Sequence, residues 1–342
     1  MIASSCFVWA LTNKTPYGAE RNWTRDTDGV HWWVVAVRAT FEVGAGGQLT
    51  LADEQLPPVL APEHHGEPGE SSLRYDSDLL ALKPATDIIV VGHAHAPRGR
   101  PATSVDVTLR AGPLEKTLVV HGERVYYDGV TGLTTTKPQP FVDRPIVYEH
   151  AFGGGDFSDP DPSRHRIDER NPVGRGFGQQ RTALLNTPAH TIEYPSGDPA
   201  RRGPAGFGAI DRAWLPRRTL AGTYDGQWIE HRKPLLPKDY DPAFALGAPV
   251  DQRPAHPLMG GEQIGLFNMT PDGRMVFALP RISLRLTSRF GRTRRPHDAP
   301  LLATVLLEPQ HSRVSLVWQS GLRVAAPDAD YLDETEIEEQ RA

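Results

Sequence analysis

The sequence predicts a mainly β protein, an antiparallel sandwich or distorted barrel with long ordered Gly/Pro-rich loops and few short helices. Three observations carry that expectation. Segments near both ends alternate between two faces, with β-branched and aromatic residues prominent. Glycine and proline stand at 32 each in 342 residues, which favours turns over long helices. Helical periodicity is thin throughout.

The opening stretch "MIASSCFVWALTNKTP" has no basic n-region, and its apolar run breaks at Asn13 and Lys14. It reads as a strand rather than a secretion signal. "HWWVVAVRATFEV" (31–43) is the firmest strand, with Trp33, Val35, Val37, Ala39, Phe41 and Val43 on one face. "DSDLLAL" (76–82) reads as a short helical turn stopped before Pro84. "DIIVVGHAHA" (87–96) reads as one strand, buried at first and then half exposed. "TSVDVTLRAG" alternates, with Val105, Val107 and Leu109 inward. "KTLVVHGERVYYD" reads as two strands joined by a tight turn at His121-Gly122.

Residues 151–260 hold 14 glycines and 14 prolines, but also aromatics such as Phe152, Phe207, Trp214, Tyr224, Trp228 and Phe244. Disordered segments lack such anchors, so long ordered loops pinned by rings are expected here. "DPAFALG" (241–247) is a further short helical turn. Strand patterns return after residue 261, in "RISLRL", "LLATVLLEP" and "RVSLVWQ". The expected organisation is one β-rich domain over 1–326: strand-rich to 150, loop-rich to 260, strand-rich again beyond. Residues 327–342 then form an acidic, solvated and disordered tail.

The formal net charge is −5, which excludes a protein whose task is to coat nucleic acid. One cysteine, Cys6, allows no intramolecular disulfide. No window approaches the roughly 20 apolar residues of a membrane span. The expected compartment is the cytoplasm.

The chemistry-bearing patterns are weak. "AFGGGDF" (151–157) lacks the Lys-Ser/Thr of a phosphate loop, so its glycines read as a bend. "RNPVGRGFGQQ" (170–180) opens no helix that would hold an anion. His93 and His95 share a strand face and could chelate, with His64, His65 or His121 completing a site; ordinary half-exposed residues are the expected reading. Asp239 and Asp241 could be a glycosidase pair but fit a turn better. Cys6 reads as a small buried residue, and no Gly-x-Ser-x-Gly elbow occurs. Six arginines punctuate residues 281–298, among them Arg292, Arg294 and Arg295. They could track a phosphate backbone, face an acidic protein or guard a sheet edge, and the last two readings are preferred.

An ordered series of short words spans the chain from about 8 to 318. It includes "SSLRYDSDLLALKPATDIIVVGHAHAP", "YEHAFGGGD", "NPVGRGF", "GPAGFGAI", "WLPR", "AGTYDGQW", "PLLPKDYD" and "GGEQIGLFNMTPDGRMVFALP". The series strongly resembles the bacterial domain-of-unknown-function 2169 family. Arg38 and Ala278 depart from the residues usual there. The resemblance implies a type VI secretion adaptor or chaperone. Such a protein binds a toxic effector in the cytoplasm and helps load it onto the VgrG/PAAR spike. It is no enzyme and needs no cofactor or metal, and neither nucleic acid nor membrane is its partner. Trp214, Arg217, Arg218, Tyr224 and Trp228 are the residue types enriched at interface hot spots and are candidate contacts, as are Arg292, Arg294 and Arg295. Core packing is the competing role for both tryptophans. The alternatives are a metal-assisted or carbohydrate hydrolase and a structural part of the secreted particle.

Overall fold

The computed structural model describes residues 9–178 and 181–340. Cys6 and the start of the first predicted strand lie outside the described residues.

Among the described residues, three sheets organise the molecule, built from fifteen strands in chain order. These are β1 (Ala10–Asn13), β2 (Gly18–Arg25), β3 (His31–Val43), β4 (Leu49–Leu51), β5 (Asp87–Val90), β6 (Ser104–Ala111), β7 (Leu114–His121), β8 (Ile192–Glu193), β9 (Gln263–Phe267), β10 (Arg274–Ala278), β11 (Ser283–Phe290), β12 (Thr293–Pro296), β13 (Leu301–Glu308), β14 (Arg313–Val324) and β15 (Leu332–Gln340). The central sheet runs β2-β3-β14-β13-β5, with β4 paired to the end of β3. A second sheet runs β1-β15-β11-β12, and a third β8-β7-β6-β9-β10. None of the three closes on itself, so of the two architectures expected the barrel is excluded. Short two-stranded ribbons and 3₁₀ turns fill the loops.

The long alternating segment forms β3 over the residues the pattern marks. Its Trp33, Val35, Val37, Ala39 and Phe41 enter one core together with Val105, Val107 and Leu109 of β6, Leu284 and Leu286 of β11, and Leu316 and Trp318 of β14. All three sheets therefore share one apolar interior. Alternation does not leave the opposite face of β3 wet, however. Val34 and Ala36 are fully buried too, packed with Leu79 and Val317 beneath the 76–82 segment.

Loops cover that outer face, and buried polar side chains satisfy their backbones, because an unpaired buried amide is costly. Gln319 on β14 donates to Asp78 O (2.6 Å) and accepts from Lys83 N (2.8 Å). Gln55 exchanges two 2.9 Å bonds with the Thr40 backbone. Lys83 reaches both Asp87 and Thr304 at 2.8 Å.

Four expectations are corrected. Residues 76–82 are turns, since Asp76 and Asp78 spend their carboxylates on Arg217 and on Val59 N. Residues 87–96 split at Gly92, where a Cβ would stand 2.7 Å from Pro309 Cγ; His93–His95 then pairs with Asp143–Pro145. β7 makes no hairpin with Tyr126–Gly129, which pairs instead with Gly132–Thr135. The acidic end is ordered over β15: Leu332, Thr335 and Ile337 are fully buried. Its outward carboxylates meet the arginines of residues 285–295, so each charge run is the other's counterion.

A hydrogen-bond chain ties β15 to the central sheet. Trp33 Nε1 donates to Thr335 Oγ1 (2.8 Å), and Ser288 Oγ lies 2.7 Å from Thr335 Oγ1 and 2.8 Å from His297 Nε2. His297 Nδ1 is 3.2 Å from Ser320 Oγ, which donates to Asp298 O. Ser320 thus accepts from Nδ1–H, and a neutral ring accepts at Nε2 from Ser288. Burial pushes His297 down to about 4. The unfolded chain takes up that proton first, so stability is full above pH 6.5 and is lost as pH falls toward 4. Urea midpoints should show a loss of about 2 kcal/mol from this group between pH 6.5 and 5, and His297→Gln should remove that share of the slope.

Candidate partner-binding groove

The loop-rich stretch meets the central sheet at an open groove of about 630 Å³. One wall is edge strand β2 and the turn after it, Asn22 to Thr27, with Trp32. Leu80 and Leu82 form part of its lining, and Tyr224, Leu235, Leu236, Tyr240 and Phe244 wall the other side. The lining is chiefly apolar and aromatic, the chemistry of a site that takes side chains from a partner.

The 221–244 loop is held by its own polar geometry. Asp225 caps the helix Gly226–His231 by accepting from Trp228 N at 2.9 Å. Trp228 donates from Nε1 to Leu235 O (2.8 Å), and Tyr224 stands edge-on to its ring at 4.8 Å. Arg232 donates to Leu236 O and reaches across to Thr27 O, fastening the loop to the end of β2. At the rim, burial raises the Asp26 carboxyl, but bonds from Trp32 Nε1, Val30 N and Asp28 N outweigh it and hold Asp26 below its ordinary value. Trp23 also lines the groove, and its indole N–H has no acceptor among the described residues.

The candidate contacts separate into three groups. Tyr224 is about half exposed, at 52%, and lines the groove; Trp228 supports it from behind. Trp214 and Arg217 are interior residues. Trp214 packs edge-on against Tyr148, and Arg217 is 1% exposed. Its guanidinium donates to Phe244 O (2.9 Å), Ile210 O (2.7 Å) and Asp76 Oδ2 (2.6 Å), so it organises loops rather than meeting a partner. Arg218 is exposed and pairs with Glu169 at 2.8 Å, away from the groove lining. Arg292 is exposed beside the β11–β12 turn, Arg294 pairs with Glu336, and Arg295 pairs with Asp328 (2.9 Å) while lying over Phe290. Sequence reasoning missed Trp23, Trp32 and Leu235 as groove residues; the aromatic density of β2–β3 was the available signal.

The hydrolase candidates are engaged locally. His93 Nδ1 is 3.0 Å from Asp143 and His95 Nε2 is 3.0 Å from Gln310. Among the described residues no three His, Cys, Asp or Glu side chains are placed to hold a metal. Asp239 accepts from Thr223 N and Oγ1, and Asp241 caps the turn Pro242–Ala245, accepting from Ala243 N at 2.8 Å. The triple glycine serves a chain crossing. Phe152–Gly153 pairs with Arg175–Gly176, and a Cβ at Gly153 or Gly154 would stand 2.2 Å from Asn171 O or 2.4 Å from Gly174 O. Both also adopt positive φ.

Fold and groove together define a layered β protein with a loop-built apolar groove at a sheet edge. The chain belongs to the bacterial family described as "Uncharacterized protein conserved in bacteria (DUF2169)", whose family model matches residues 28–319. No curated protein and no solved structure matches it.

Arg217→Met should cost about 3–5 kcal/mol by leaving Asp76 with one of its two arginines and two loop carbonyls, Phe244 O and Ile210 O, unsatisfied. Arg218→Ala should change stability by less than about 1 kcal/mol. Chemical denaturation of both variants checks the contrast.

Proposed function

We propose that this protein is a type VI secretion adaptor-chaperone that receives a segment of a toxic effector in the groove and presents it to the spike. The single observation that carries the reading is the apolar groove of about 630 Å³ beside edge strand β2, with a half-exposed tyrosine on its lip. Edge strands accept extended segments by backbone pairing, while adjacent pockets select side chains. Loops on a rigid sheet are the usual carriers of recognition. The resemblance of the sequence to the family supplies the secretion context. The protein acts in the cytoplasm before firing, with the effector as first partner and VgrG or PAAR as second, and no catalytic step is assigned to it.

The test is co-expression with the effector encoded nearby. Tyr224→Glu combined with Leu236→Glu should reduce co-purified effector by roughly tenfold or more while the melting temperature holds. Undiminished recovery with both charges in the groove contradicts the reading. The protein should also stay with the cells when the spike is secreted; its appearance in the secreted fraction would make it a particle component.

A further inference from the structure

The second sheet holds a slot that the chain fills with its own strand β15. β15 lies between β1, parallel over Ala10–Asn13, and β11, antiparallel over eight positions. The exposed 3₁₀ segment Ala326–Tyr331 leads into it from β14, which belongs to the central sheet. The strand therefore leaves one sheet to close another.

The slot has a strict chemistry. Inward, Leu332 and Ile337 are fully buried, and Thr335 receives the Trp33 indole N–H. Outward, Glu338 meets Arg285 (2.5 Å) and Lys14 (2.9 Å), and Glu334 meets Arg289 (3.0 Å). Glu336 meets Lys14 and Arg294. Cations from the turn after β1, from β11 and from β12 thus converge on alternate residues of one strand. Without an acidic occupant they would stand unpaired along a sheet opening, with the Trp33 donor exposed beneath.

We propose that this slot is an acceptor for an acidic, amphipathic β-strand of a binding partner, kept occupied in the free protein by Leu332–Gln340. Charge complementarity selects the partner: carboxylates at every second position, with apolar residues facing inward. The proposal rests on the partner-binding reading above and adds a second contact to it. The built-in strand is suited to exchange. Only two large apolar side chains anchor it, and its ion pairs are exposed ones, individually weak and screened by salt. β14 by comparison buries eight consecutive residues. Tethering gives the built-in strand a high effective concentration, so a partner binds only where it outcompetes that advantage or where the tether is loosened.

The experiment uses a fluorescent peptide of residues 330–340, the full chain, and a full chain carrying Leu332→Asp and Ile337→Asp. The variant should bind the peptide at least about tenfold tighter than wild type does. Binding should weaken severalfold in 0.5 M NaCl and vanish when lysines replace the peptide's three outward-facing glutamates 334, 336 and 338. A folded variant that fails to bind the peptide overturns the proposal, and so does binding indifferent to the lysine exchange. If the variant does not fold, an Arg285→Cys chain with Cys6→Ser is mixed with a peptide bearing cysteine in place of Glu338, the residue opposite in register. Disulfide capture supports the slot, and its failure overturns it. Dimers forming without peptide would make a second copy the occupant and overturn the partner assignment. Groove substitutions leave this readout unchanged, so failure of the slot and failure of the groove are separable.

Discussion

A sheet buried on both faces must be covered on both, and that constraint shapes this molecule. β3 and β14 are buried nearly throughout and pair over twelve positions. Two smaller sheets cover their inner face with apolar side chains. Loops cover the outer face and bring backbone amides into the interior. Buried polar residues meet that cost. Arg217 gathers three loop acceptors, Gln252 donates to Ile88 O and Phe207 O, and Asn171 donates to Tyr148 O and Phe152 O. Lys116 reaches Gly206 O, Asp251 and Gln252 at 2.7–2.8 Å; burial pushes it down to about 8 against the pull of Asp251.

The groove follows from the same constraint. Covering loops held at discrete polar anchors do not seal the sheet to its edge. Beside β2 the 80–82 turn and the 221–244 loop diverge, and an apolar cleft stays open to solvent. The position suits recognition, since the walls are fixed by Arg232 and the Asp225 cap while the lip carries exposed aromatic surface.

Much of the fold was legible in the sequence because strand alternation is local. β3, β6, β11 and β14 all follow from local patterns of six to thirteen residues, which the strands then extend. What failed was long-range. The 327–342 segment reads as solvated because its partners, Lys14 and the arginines of 285–295, are distant in sequence and its apolar residues are few. Tyr126–Gly129 could not be assigned its partner because His121-Gly122 resembles a tight hairpin turn. The candidate site was half legible. Tyr224 and Trp228 fall at the groove, but residue type alone does not separate an interface arginine from Arg217, whose burial depends on Asp76 some 140 positions away.

The proposed place of partner engagement is the loop-built edge of the central sheet. Hydrogen-exchange mass spectrometry of the full chain, free and in complex with its co-expressed effector, tests it most directly. New protection is expected over residues 22–27, 80–82 and 221–244, with the β6–β7 surface unchanged. Protection confined to the β6–β10 sheet, or a stable complex with no change along β2 and the 221–244 loop, would contradict it.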